Sequence, residues 1–321
     1  MADYRKATIA DKDEILDLIN YVFSFDHCPH DFKQRDPKRY GGDYPFWEEH
    51  YVAEEHGKLL ATLSVTKRDW HGLYCGHVGQ VCVHPYHRGR GFMKTLMNMA
   101  IHDMEQAGFV FAELNGLRQR YEYFGFTQGA VRYRCTVIPT NLRHKHVVIE
   151  PALALLPAGN GAFTVQKNGE MAGILTPYQI SLENEKDLPA VLQLFFEKTG
   201  QKEYQCTVPL YDQQRLKILT AFCEEIVMEQ SMQYRIFRFQ ELITKSLEQR
   251  TDLWNGSISL SPKGQQPFRV TVNQGKVFAQ NIPHDSPQVD PMTLQTWLLG
   301  LVPPSLLPAD LAKTNWFPLS L

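Results

Sequence analysis

Net charge is nearly absent from this chain. Its 33 lysine and arginine residues are offset by 35 aspartates and glutamates, leaving −2. That gives no electrostatic case for nucleic acid or an anionic membrane as the main partner. Paired cysteines are missing too. Cys28, Cys75, Cys82, Cys135, Cys206 and Cys223 are scattered without a CxxC pair. This argues against a zinc knuckle or a disulfide framework and fits a reduced, cytoplasmic compartment. No run approaches the roughly 18 apolar residues that suggest a membrane-spanning helix. The opening MADYRKATIADKDEIL is charged early and has no apolar core, so no signal peptide is expected.

What is present is globular material. The 321 residues are 43% hydrophobic and 21% charged, ample for a sizeable core. The length predicts two or three domains. YRKATI alternates as a strand, and Asp11 or Asp13 can cap the helix that carries Ile15, Leu16, Leu18, Ile19, Val22 and Phe23. Residues 51–65 read as a hairpin turning at Gly57, residues 74–83 as a strand and residues 88–106 as a long helix. Short strands at 110–114 and 131–138 complete a mixed α/β pattern with parallel pairing near the sheet centre. A second hairpin over 163–178 turns at Gly169 and resembles the first, which suggests a weak internal repeat. Residues 188–196 predict a helix, and a different helix-plus-strand pattern follows from 229. Linkers are expected near 139–160 and 224–232.

The informative segment is VGQVCVHPYHRGRGFMKTL, residues 78–96. A strand ends at Val81-Cys82-Val83, Pro85 stops it, and a basic glycine loop opens a helix. Unpaired amides and the dipole at a helix start suit an anion. Gly89 and Gly91 let the backbone approach a pyrophosphate, and Arg88 and Arg90 add charge. The loop lacks the Walker pattern, and Lys94 breaks the dinucleotide GxGxxG pattern.

These residues resemble the GNAT superfamily of N-acetyltransferases. Its coenzyme A loop follows a V-x-V-x-P strand, as Arg88, Gly89, Arg90, Gly91, Phe92 and Met93 do here, with Met93 in place of a small residue. Its second signature, Y-x-x-F-G-F, is matched by Tyr121 to Phe126. The whole chain resembles the bacterial enhanced-intracellular-survival acetyltransferases. That resemblance implies a catalytic GNAT domain at 1–140, a degenerate and trimmed GNAT-like domain at 141–228, and a sterol-carrier-like domain at 229–321. It implies an α/β (α+β) fold and acetyl-CoA as cosubstrate. The acceptor would carry an amine, and a homo-oligomer is possible.

The resemblance also distributes roles. Backbone amides of Val81 and Val83 would face the thioester and pantetheine arm, with Cys82 between them in the same cofactor-binding strand, aided by a β-bulge. Asn115 would contact coenzyme A. Tyr121 would protonate the departing sulfur. Two groups compete as general base. His77 stands before Val83 at the spacing of a glutamate in the histone acetyltransferase branch, and its imidazole suits neutral pH. The terminal carboxylate of Leu321 is the other, carried on the apolar tail TNWFPLSL. Glu113 faces either the sheet interior or the site. His27, Cys28 and His30 are too crowded for a tetrahedral metal, so none is expected and the segment reads as substrate loop. The ENEKDLPA segment, acidic and glycine-free, predicts that the second unit binds no coenzyme A.

Overall fold

Alternation makes the strands of this chain, and glycine-bearing turns reverse them. The structure, a computed structural model, describes residues 2–26, 28–159, 161–210, 212–283 and 287–319. The first elements are β1 (Asp3–Lys6), α1 (Lys12–Asp26), α2 (Phe32–Arg35), α3 (Pro37–Tyr40), β2 (His50–Glu55), β3 (Lys58–Trp70) and β4 (Leu73–Val83). After them come α4 (Phe92–Gln106), β5 (Phe111–Leu114), α5 (Arg118–Tyr121), β6 (Thr127–Val137) and α6 (Pro139–His144). The middle holds β7 (Leu153–Gly159), β8 (Ala162–Lys167), β9 (Glu170–Leu175), β10 (Ile180–Leu182), α7 (Leu188–Thr199), β11 (Tyr204–Pro209) and α8 (Gln213–Leu219). The chain continues through β12 (Cys223–Ile236), α9 (Phe239–Glu248), β13 (Gly256–Leu260), β14 (Phe268–Asn273), β15 (Lys276–Asn281) and α10 (Pro291–Leu299). This is the mixed α/β architecture expected. None of the described helices is long and apolar enough to cross a membrane.

Two compact units divide the chain. The first combines Met1–Gly129 with Met232–Leu298 and Val302–Phe317, and the second is built mainly on Ala130–Ser231. In the first, β1 to β4 pair antiparallel in order, and β4 pairs parallel with β5. The other edge of β5 is taken by residues 233–236 of β12, running antiparallel. Helix α4 packs Phe92, Leu96, Met97, Ala100, Ile101 and Met104 onto one face of this sheet. Helix α1 covers the other with Ile15, Leu16, Leu18, Ile19 and Val22. Thr8 and Asp11 form a capping box ahead of α1, and Arg5 grips the Asp11 carboxylate at 2.7 Å. The same unit holds the antiparallel sheet β13-β14-β15.

In the second unit β10-β9-β8-β7 form an antiparallel sheet, and β6 pairs with β11. Its core gathers α7 residues such as Val191, Leu192 and Phe195 against Val165, Leu175 and Tyr204. Both predicted hairpins are present. Each turns on two residues with positive φ, His56-Gly57 (54° and 73°) and Asn168-Gly169 (55° and 83°). This is the turn whose twist matches paired strands.

One linker expectation is corrected. Residues 224–232 lie inside the 14-residue strand β12. The segment is paired structure and not a connector. Glu229 bridges Arg132 and Arg134 of β6 at 3.1 and 3.2 Å, and Glu225 reaches Arg134 at 3.6 Å. The 139–160 stretch likewise contains α6 and all of β7.

Candidate active site

Strand β4 carries the distinctive geometry. Its register on β3 pairs Cys82 with Thr62 and then Gly79 with Ser64. Gln80 and Val81 therefore stand opposite Leu63 alone, which is a β-bulge. Gln80 takes the left-handed conformation, φ 45°, and its side chain accepts a 2.6 Å hydrogen bond from Ser64 Oγ. On the other edge, pairing with β5 ends at Val78–Leu114. Residues 79–83 run on past the end of β5, so the two parallel strands splay. The His84 amide donates to the Leu60 carbonyl at 2.8 Å. By antiparallel alternation, the amides of Val83 and Val81 turn toward the splay. Cys82 points its side chain the other way, into the core under α1. Burial raises its thiol pKa to about 12, so the thiol is not available to a ligand at the splay.

The strand then feeds the glycine loop. Gly89 and Gly91 have φ of 79° and 85°, and Gly91 is the N-cap of α4 with no side-chain cap bond. The first-turn amides of this 15-residue helix therefore face outward. A Cβ at either glycine would meet nothing within 4 Å. Phe92 anchors the helix start in the core, and Met93 packs at its edge. The two arginines are engaged by carboxylates. Arg88 donates to Asp26 at 2.6 Å, and Arg90 to both oxygens of Glu55 at 2.9 and 2.8 Å. Sequence reasoning missed both partners, since each comes from a distant element.

Tyr121 ends the short helix α5. Its ring is buried, packs at 71° to Phe126 with centroids 6.5 Å apart, and abuts Gly116 just past β5. Burial raises its hydroxyl pKa, with Arg120 pulling weakly the other way. The hydroxyl thus keeps its proton at neutral pH, as a donor must. Three side chains from far along the chain fasten this turn. Gln233 Nε2 donates to the Gly116 carbonyl at 2.8 Å, and Arg235 Nη1 to the Phe124 carbonyl at 2.6 Å. Gln295 Nε2 donates to the Gly125 carbonyl at 3.0 Å, while its Oε1 accepts from the Ile236 amide at 2.6 Å.

His77 and Glu113 are register partners on β4 and β5. Their neighbours Val78, Ala112 and Leu114 face α4, so both side chains project from the opposite face of the sheet. Nδ1 of His77 lies 3.2 Å from Glu113 Oε1, which also accepts from Arg68 Nη1 at 2.6 Å. Asn115 is exposed beyond the end of β5. In the tail, Trp316 is buried, donates to the Trp254 carbonyl and accepts from Arg250. Leu321 and His27 lie outside the described residues. Among the described residues, no group of three His, Cys, Asp or Glu side chains is arranged to hold a metal ion.

A bulged, splaying strand followed by an uncapped glycine loop and helix is matched in sequence. The family model of the acetyltransferase (GNAT) domain matches residues 3–129. Residues 3–129 are a GNAT acetyltransferase domain. Among solved structures, a probable N-acyltransferase from Enterococcus faecalis aligns with 100% of this chain and 97% of its own, at 12% identity and TM-score 0.68. A GCN5-related N-acetyltransferase from Anabaena variabilis aligns over 95% and 92%, at 14% identity and TM-score 0.68. Eis1 from Mycobacterium abscessus aligns over 92% and 88%, at 13% identity and TM-score 0.61. At these identities the likeness is one of fold, and it spans nearly the whole chain. No curated protein matches the chain in sequence. The GNAT domain thus brings together the splay, the glycine loop and the Tyr121 turn in one compact unit.

Proposed function

We propose that the protein transfers an acetyl group from acetyl-CoA directly to a primary amine, on a small molecule or a lysine side chain. The observation that carries this reading is β4 itself. It splays from β5 and leads directly into amides left uncapped at the start of α4. The fit to the cosubstrate is sterically open. Both loop glycines have free space where a side chain would stand, so a pyrophosphate can approach the backbone amides. Val81 and Val83 would hold the pantetheine arm and polarise the thioester carbonyl. Arg88 and Arg90 would exchange their carboxylates for phosphate oxygens, with Asn115 at the rim.

Direct transfer needs a neutral amine, a stabilised oxyanion and a proton for the leaving sulfur. A base takes the amine proton, the C–N bond forms and the C–S bond breaks. Tyr121 supplies the proton to sulfur. His77 or the Leu321 carboxylate is the base. We assign catalysis to 1–140, a scaffold role to the degenerate GNAT-like 141–228, and a supporting role to the sterol-carrier-like 229–321. The bonds from Gln233, Arg235 and Gln295 onto the Tyr121 turn support that last role. The free cysteines support a reduced cytoplasmic setting, and a homo-oligomer is the assembly proposed.

The test is calorimetric titration of acetyl-CoA, followed by an amine screen. The parent should bind, a Gly91→Glu variant should not, and a Tyr121→Phe variant should bind normally while losing roughly 100-fold in turnover. Binding without turnover on any amine would favour an acyl-CoA-binding module. No binding would refute the enzyme reading.

A further inference from the structure

Strands β3, β4 and β5 each contribute one side chain to a single polar cluster. Arg68 comes from β3, His77 from β4 and Glu113 from β5. Both side chains converge on one oxygen, Glu113 Oε1, with Arg68 at 2.6 Å and His77 Nδ1 at 3.2 Å. The side chains of His77 and Glu113 are mostly buried, at 23% and 13% exposure, while Arg68 is 48% exposed. A carboxylate bound to one ring nitrogen fixes the tautomer: Nδ1 carries the proton and Nε2 presents a lone pair.

The direction of Nε2 gives this a purpose. Gly79 is the first residue of β4 beyond its pairing with β5. A Cβ built on it would lie 3.8 Å from His77 Nε2 and 3.7 Å from Cδ2. The ring therefore leans along the strand toward the splay, and glycine keeps the space beside Nε2 clear. Among the described residues Nε2 has no hydrogen-bond partner.

Resting on the acyl-transfer reading above, we infer that Glu113 is a positioning residue that holds His77 so that Nε2 accepts the proton of the acceptor amine. Arg68 in turn anchors Glu113 from the solvent side. The proton passes from the amine nitrogen to Nε2 as the new C–N bond forms. Glu113 acts only through the ring and touches neither substrate. On this inference His77, rather than the terminal carboxylate of Leu321, is the base.

The test is a double-mutant cycle on the full chain, with His77→Ala, Glu113→Gln and both together, read as kcat at saturating acetyl-CoA and amine. His77→Ala should lower kcat by roughly 100-fold or more. Glu113→Gln should lower it by about tenfold or more with His77 present and by nothing further in its absence, because the carboxylate acts only through the ring. Added imidazole should restore part of the turnover of His77→Ala. Acetyl-CoA affinity should be equal in all four proteins. Glu113→Asp, which keeps the charge but retracts it, serves as a second variant and should fall between the parent and Glu113→Gln. Equal losses from Glu113→Gln in both backgrounds would show a merely structural role and overturn the inference. Normal turnover of His77→Ala would overturn it in favour of the tail carboxylate. A parent that binds acetyl-CoA but acetylates no amine would instead refute the acyl-transfer reading itself, and the inference with it.

Discussion

Replacing Gly116 with alanine tests whether the position of the Tyr121 ring matters separately from its hydroxyl. A methyl group at 116 would lie 2.4 Å from Cε2 and 3.2 Å from Cδ2 of that ring, where ordinary contact starts near 3.4 Å. The backbone cannot retreat freely, because the Gly116 carbonyl is held by Gln233 at 2.8 Å. The ring must therefore yield by about 1 Å, a displacement that can cost about 100-fold in rate when the group is catalytic. Overpacking, and a backbone φ of 156° that a side chain rarely adopts, should each also cost about 1–3 kcal/mol of stability. Steady-state kinetics with Tyr121→Phe as reference, alongside urea unfolding and acetyl-CoA titration, separates these effects. The expected outcome is a folded Gly116→Ala protein whose kcat falls toward that of Tyr121→Phe, with the acetyl-CoA Kd little changed. Wild-type kcat in a folded variant would refute the argument that this ring delivers the proton.

Other expectations follow from single contacts. Asp26→Asn frees Arg88 from an ion pair whose side chains are 44% and 35% exposed. Such pairs are worth about 0.2–1 kcal/mol, so calorimetry should show acetyl-CoA binding roughly 1.4- to 5-fold tighter, and weaker binding would mean that Asp26 assists the ligand. His50 is fully buried, with Nδ1 on the Thr62 hydroxyl at 2.8 Å and Nε2 unpartnered. Burial, with Arg39 and Lys6 nearby, lowers its pKa to about 3. Below the ordinary value near 6.5, the unfolded chain binds a proton that the native state refuses. This contribution is therefore full above that pH and is lost as pH falls toward 3, about 1.4 kcal/mol per pH unit. Urea unfolding at pH 7.5 and 5.0 should show the loss, and His50→Gln should remove about 2 kcal/mol of the difference; an unchanged difference would assign it to other groups. Gln295→Leu strands the Ile236 amide and the Gly125 carbonyl. It should cost about 2–4 kcal/mol and lower kcat with it, and a stability loss without a kinetic one would show that the Tyr121 turn holds its place unaided.

Much of the GNAT half was legible because its chemistry is local. The run from Val81 to Gly91 encodes a strand, a stop and a positive-φ loop in consecutive residues, and Tyr121 to Phe126 carry their motif in six consecutive residues. Both hairpins were readable from the glycines at 57 and 169. What stayed hidden was non-local. Glu113 was undecidable because strand alternation gives two faces but not which face meets His77. The partners of Arg88 and Arg90 lie on α1 and β2, and no spacing rule links them. Residues 224–232 read as a linker because β12 keeps its charges for arginines on β6. Gln233, Arg235 and Gln295 are ordinary polar residues in sequence and gain a function only by meeting the Tyr121 turn.

The pairing of β5 with the end of β12 also has a consequence in time. Gly116 and its partner Gln233 are 117 residues apart. At 5–20 residues per second, roughly 6 to 23 seconds of synthesis separate them. Through that interval β5 has an open edge of unpaired amides and carbonyls, which is a template for unwanted strand addition. The whole of Ala130–Ser231 emerges meanwhile and can fold by its own contacts. The last of the three side chains that fasten the Tyr121 turn, Gln295, is made 62 residues after Gln233. A chain stopped short of Gln233 would therefore carry the complete glycine loop without the side chains that fasten the turn at residues 116–125.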